Sequence, residues 1–420
     1  MDGKGFIEDG ALAIKNRKII FVGKFASATS IDADLKINVK GKVAMPGLVN
    51  CHTHVPMTLF RGIAEDQPLD TWLKETIWPL EAKLRQEDVY VGALLGCLEM
   101  IRSGTTCFAD MYFHEDMVAK ATEKSGLRGV LAQGIFEAGN KVLGEKMLAE
   151  SVDFAKRFNG YANDRVRTML GPHATYTCSS DLLKKISKKA SELNAGVHLH
   201  LAESKAMFWG FEKKYGFSEV EFLDQIGLLK NHVLAAHCIN VSRKDIHILS
   251  KCSVNVVHVP VANMKLGLGA AKIKDLTDLG VNVSLGTDGP ASNNSLDMFE
   301  TMKIAALLQK LTYQNPTVMS AYEVLKMATI NGAKALDLGE SIGSLEVGKK
   351  ADIVLIDLSK PHLKPLHNIY ANVVYSVRGS DVDTVIVDGK ILMENREVKT
   401  LDEQTVMEKA EKAALDLLSR

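Results

Sequence analysis

The feature that most restricts how this chain can fold is a set of four short segments, each closing an apolar run and carrying metal-capable side chains. They are His52-Thr53-His54, His200-Leu201-Ala202-Glu203, Ala236-His237-Cys238 and Gly286-Thr287-Asp288-Gly289. The runs before them (VAMPGLVN, AGVHL, HVLAA and VNVSL) read as strands. Ends of separate strands converge only if the strands lie parallel in one sheet, open or closed into a barrel. In a barrel, the carboxyl ends are where active sites sit. Three histidines, an aspartate and a nearby glutamate gathered there would form a metal site able to activate water.

The texture of the rest agrees. Apolar strands alternate with helices through the middle of the chain, the pattern of a βα architecture. Eight strands are expected at 43–50, 105–111, 127–134, 165–171, 196–202, 232–238, 253–259 and 281–287, with helices at 87–103, 181–194, 219–229 and 297–310. Eight units favour a closed barrel. Residues 11–45 instead carry short alternating strands, GALAIKNRKIIFVGK and LKINVKGKVAM. Residues 343–398 return to that style with ADIVLIDL, NVVYSVRG and the hairpin VIVDGKIL. The two ends would combine into one small β-domain, followed by a helix over 402–419 capped by Asp402. The expected fold is α/β, with part of the small domain in 1–45, the barrel in 46–342 and the remainder in 343–420.

Composition narrows the function. Charged residues make up 24% of the 420 and sum to zero net charge, which argues against a nucleic-acid footprint or a membrane-surface patch. No apolar run reaches membrane-spanning length and MDGKGFIEDG lacks a signal-peptide pattern, so a cytoplasmic setting is expected. Six cysteines without any C-x-x-C read as reduced, packed thiols.

The metal reading has bland competitors at each position. His-x-His puts two imidazoles on one side of an extended segment, yet alone it is as often chance or polar packing. His198 shares a strand face with His200; the latter is favoured as ligand because it is nearer the strand end. Asp288 could be a turn aspartate, but an unpaired carboxylate after a buried strand is costly unless something satisfies it. Nitrogen and oxygen donors without thiolate suit zinc, and less selectively iron or manganese. The fourth strand ends TMLGPHATY with no lysine at its tip, which favours one metal per subunit over a lysine-bridged pair.

Taken together, MPGLVNCHTHVPMTLFRGIAED, TWLKETIWPLEAKL, ADMYFHED, GPHATYTCS, HLHLAES, AAHC, LGTDGPASNNS and GSLEVGKKADIVLIDL resemble the amidohydrolase superfamily over nearly the whole chain. Within it the chain is similar to the 5'-deoxyadenosine and 5'-methylthioadenosine/S-adenosylhomocysteine deaminases. The resemblance implies a distorted (β/α)8 TIM barrel with a small β-sandwich built from both chain ends. It also implies one catalytic zinc on His52, His54, His200 and Asp288, with hydrolytic release of ammonia from an adenine ring. Glu203 would carry a proton to ring N1, while His237 or Asp288 would take the water proton. Glu81 would bind the ribose diol, for which a carboxylate offers two acceptors, and His173 would face the ribose or 5' side.

Without the resemblance Glu81 reads as a solvated helix residue and His173 as an even choice between ligand-facing and core. Trp72 is more often simply packed, and His114 and His258 are left without a role. The partner expected is a small nucleoside, with no nucleic acid and no membrane, and by analogy a homo-oligomer. Gln133 stands where the S-adenosylhomocysteine pattern has an arginine, favouring smaller or neutral 5' groups, and Ala262 replaces a frequent serine. One N-terminal strand usual in such proteins is missing, so the small domain would lack a strand or the recorded start is late. The competing readings are a deaminase or hydrolase of guanine, cytosine or a triazine, and a non-catalytic scaffold with eroded ligands.

Overall fold

The computed structural model describes residues 5–420, apart from the side chains of 206–208. The expectation of a missing N-terminal strand falls partly on residues 1–4, outside the described residues. A hairpin of β1 (Gly10–Lys15) and β2 (Lys18–Lys24) precedes β3 (Lys42–Pro46). Eight parallel strands then follow in order around a barrel: β4 (Leu48–Thr53), β5 (Thr105–Tyr112), β6 (Arg128–Ile135), β7 (Val166–Pro172), β8 (Gly196–Leu201), β9 (Val233–His237), β10 (Asn255–His258) and β11 (Asn282–Leu285). The chain returns to the small domain with β12 (Ile353–Asp357), β13 (Val382–Val387), β14 (Lys390–Glu394) and β15 (Glu397–Val398). A five-stranded sheet ordered β15-β14-β13-β12-β3 faces the β1–β2 pair. Ile19, Ile353, Leu355 and Ile386 pack together, joining these two chain ends.

Side-chain alternation aims the site. Val197, Leu199 and Leu201 on β8 pack into the large cluster formed with the outer helices. Strand pleating therefore turns His198 and His200 the other way, toward the barrel axis. A second cluster takes Cys107, Ala109, Val130, Ala132, Leu234 and Val257 from β5, β6, β9 and β10, filling the barrel beneath the site. The helices form by ordinary rules. In Ser180–Leu193, the Ser179 hydroxyl accepts the Leu182 N–H, and Leu182, Leu183, Ile186 and Ala190 make one buried face. Asn194 then ends the helix at φ 49°. Such a cap contributes about 1 kcal/mol.

Three expectations need correction. The run 43–50 is not one strand: it breaks at Gly47, with β3 going to the small sheet and β4 to the barrel. A Cβ on Gly47 would lie 2.1 Å from Thr106 Oγ1, so only glycine allows the crossing. NVVYSVRG is not a strand: Ile369–Tyr375 is a helix, because Asn368 caps it through the Ala371 N–H and Val373 and Val374 are buried on one face. LKINV, at 35–39, joins no strand.

The barrel closes through side chains where the backbone ladder between β11 and β4 fails. Asn50 Nδ2 donates to Thr287 Oγ1 at 2.7 Å, and the Thr287 N–H donates to Asn50 Oδ1 at 3.0 Å. The Asp288 N–H then reaches His52 O at 2.9 Å. All six cysteines are free. Among the described residues, no helix is long and apolar enough to cross a membrane.

Candidate metal centre and substrate pocket

The four segments do meet. Ligand atoms of His52, His54 and His200 lie within 4.8 Å of one another, as do those of His52, His237 and Asp288. Asp288 Oδ1 is 3.2 Å from His54 Nε2 and 3.4 Å from His52 Nε2. The second ring nitrogens decide which atoms are available. His54 Nδ1 is 2.7 Å from Met111 O and His200 Nδ1 is 2.9 Å from His173 O. A carbonyl only accepts, so both Nδ1 atoms carry hydrogen and the two Nε2 atoms face each other at 3.3 Å, the orientation metal-binding histidines adopt. His52 Nδ1 packs 2.8 Å from His198 Nε2, which leaves His198 behind His52, whereas His200 Nε2 lies 3.3 Å from His54 Nε2 within the cluster.

The backbone leaves its ordinary range at these strand ends. Ala202, His237, Cys238 and Asp288 all take positive φ, between 45° and 72°. Such strain in non-glycine residues is costly and clusters at functional sites. Neighbours hold it: Asn240 Nδ2 donates to the carbonyls of Ala202 and Glu203, and Glu219 accepts the Ala202 N–H.

A cation fits this centre. His52 Nε2 is fully buried with no hydrogen-bond partner, and such orphans call for an explanation. Four nitrogen and oxygen donors converge without a thiolate, since Cys51 turns its sulfur to Gly332 O. Burial raises the Asp288 carboxyl, but the His52 and His54 rings beside it override this and hold the group well below the usual carboxylate range. Burial lowers His52 to about 4. In His54 the pull of Asp288, helped by Asp110, overcomes burial and raises the ring to about 9. The donor set thus fits a metal ion.

Beside it lies a pocket lined by Trp72, Ile77, Trp78, Glu81, Phe113, Phe136, His173, Glu203, His237 and Asp288 among others, with neither lysine nor arginine. The π-helical turn Trp72–Ile77 brings Trp72 into this wall. Burial raises the Glu203 carboxyl, with His237 pulling it part-way back from 3.8 Å. Burial raises Glu81 to about 7, against the opposing pull of Tyr112 and His54. His173 stacks 4.1 Å from Phe136 and is driven down to about 3, mainly by burial. Gln133 is not in the pocket wall: its amide oxygen accepts the Glu115 N–H at 3.0 Å. His258, the last residue of β10, is fully buried.

Residues 43–392 match the amidohydrolase family. The chain belongs to the amidohydrolase family. It is 51% identical over 416 residues to a protein of Methanosarcina mazei named 5'-deoxyadenosine deaminase, covering 99% of this chain and 95% of that one. A protein of Desulforamulus reducens named 5-methylthioadenosine/S-adenosylhomocysteine deaminase is 46% identical over 417 residues, covering 99% and 96%. Among solved structures, the chain is similar to a zinc-bound adenosine deaminase from Xanthomonas campestris, with a TM-score of 0.94 and 34% identity over 99% of this chain and 95% of that one.

Within this amidohydrolase site, sequence reasoning missed Asn263, whose Oδ1 lies 2.9 Å from His237 Nδ1, and Asn240. Neither sits at a strand-end position or in a ligand spacing. Their only signal is nearness to AAHC and VHVPVA.

Proposed function

We propose that the protein is a zinc-dependent hydrolase that deaminates 5'-substituted adenosines to the matching inosines and ammonia. In this reading 5'-deoxyadenosine, 5'-methylthioadenosine and adenosine are preferred over S-adenosylhomocysteine. The observation that carries the reading is one pocket in which the histidine-aspartate cluster, Glu203 and Glu81 all face the same space. His52, His54, His200 and Asp288 hold the metal. When bound, zinc supplies the acidity that brings a water molecule's pKa near neutrality.

The protein's own groups do the rest. His237 donates Nδ1–H to Asn263 Oδ1, so its Nε2 is left as the acceptor that orients the water and takes its proton. Burial raises the Glu203 carboxyl, which favours its protonated form, and in this reading the acid delivers its proton to adenine N1, making the ring accept the nucleophile. Asp288 remains an anion and helps pass a proton to the departing amine. Glu81 accepts two hydrogen bonds from the ribose diol, and His173, backed by Phe136, faces the ribose and 5' side.

The cation-free, aromatic wall supports a small neutral 5' group, because a homocysteine carboxylate would find no charged donor there. The six free cysteines suit a reducing, cytoplasmic setting, and a homo-oligomeric assembly is part of the reading by analogy. Competing the nucleosides in one assay tests the preference. S-adenosylhomocysteine should show a kcat/KM lower by about tenfold or more; if it were the best substrate, the assignment of the 5' side would fall.

A further inference from the structure

Two buried acids behind His54 take no part in the chemistry above. Asp110, on β5, and Glu115, at the start of the helix Glu115–Ser125, are both fully buried. Neither forms an ion pair with a lysine or arginine among the described residues. Asp110 Oδ1 accepts the Val55 N–H at 2.6 Å and lies 2.6 Å from Thr53 Oγ1. One carboxylate oxygen thus grips the residues on both sides of His54. The next residue of the strand, Met111, takes the ring's Nδ1–H on its carbonyl. Two consecutive residues of β5 therefore fix the peptide and the ring plane of a proposed ligand.

Asp110 Oδ2 has no donor from ordinary polar groups, and the Glu115 carboxyl meets only the Tyr112 backbone N–H. The two carboxyls instead face each other. Asp110 Oδ1 accepts from two donors, the Val55 N–H and the Thr53 hydroxyl, against one backbone N–H for Glu115, so Asp110 is the partner that stays ionised and Glu115 the one left to donate.

We propose that Glu115 is a positioning residue: as a neutral carboxylic acid it donates its O–H to Asp110 Oδ2, locking the carboxylate that aims His54 at the metal. Burial, reinforced by the charge of Asp110, drives the Glu115 carboxyl well above its usual range, in keeping with this state. The helix start that carries Glu115 is itself pinned, since its N–H donates to Gln133 Oε1 at 3.0 Å. Gln133, in this arrangement, serves the metal ligand's support and not the substrate.

The inference rests on His54 being a ligand, so the test reads metal binding before activity. Zinc affinity is measured by chelator competition on wild type, Glu115→Gln and Glu115→Leu, followed by kcat and nucleoside KM at saturating zinc. An amide N–H replaces the acid O–H, so Glu115→Gln should bind zinc as wild type does. Glu115→Leu offers Asp110 no donor and should lose roughly 10- to 100-fold in zinc affinity, with KM unchanged because Glu81 is untouched. Should the leucine variant fail to fold, the glutamine variant decides alone: wild-type affinity supports the pair, and a loss overturns it. Wild-type affinity in Glu115→Leu would also overturn it. A wild-type protein that binds no zinc would sink the metal reading itself, which separates the two failures.

Discussion

Glu203 and Glu81 are both acids in one pocket, but their surroundings assign them different work. Glu203 lies 3.8 Å from His237 and Glu81 lines the same pocket; in the proposed function the first acts as an acid and the second as the acceptor for a diol. Replacing Glu203 by glutamine should therefore leave zinc content unchanged while lowering kcat by roughly 100- to 10,000-fold. Metal analysis beside steady-state kinetics checks it, and a fully active variant would remove Glu203 from the proton path. Glu81 makes a pH prediction. Its carboxyl is raised to about 7 by burial, so the diol-accepting anion predominates above that pH and falls away below it. KM for nucleosides should fall as pH rises through this value, and Glu81→Gln should raise KM and flatten the dependence.

At the level of elements, the seam between β4 and β11 carries no strand ladder, and Asn50 does there what a ladder does elsewhere. Asn50→Ala strands the buried Thr287 N–H and should destabilise the protein by about 2–3 kcal/mol, read from the denaturant midpoint. It should also loosen zinc, because His52 and Asp288 meet across this seam. The elements also show what the sequence could convey. All eight barrel strands and the helices near 87–103, 181–194 and 297–310 were legible, because apolar runs and caps are local signals. The break at Gly47 was not: what divides 43–50 is Thr106, distant in sequence, pressing on a residue with no side chain. NVVYSVRG misled because two valines suit a strand, while its helix depends on a cap at Asn368 and a buried face supplied by tertiary packing. In the site, the ligand candidates stood at strand ends and could be found. Asn263, Asn240 and Asp110 act by orienting other groups, and no spacing rule marks such a role.

Across the whole molecule, chemistry and cohesion occupy opposite ends of the barrel. The proposed ligands gather at the carboxyl ends of the strands, whereas Arg128, at the start of β6, ties the barrel to the small domain. Its Nε and Nη2 donate to Asp352 at 3.0 and 3.1 Å, with both side chains almost fully buried. Arg128→Met leaves Asp352 a buried charge without its partner and should cost about 3–5 kcal/mol of stability, while kcat of the folded enzyme is unchanged. The central claim is that one metal pocket reads a nucleoside and removes its amine. The most direct test is ammonia release by the zinc-loaded protein on 5'-deoxyadenosine and on free adenine, each followed by the ultraviolet shift from adenine to hypoxanthine. Turnover of the nucleoside without turnover of adenine is the predicted result. Silence on 5'-deoxyadenosine with zinc bound, or equal turnover of the free base, would contradict it.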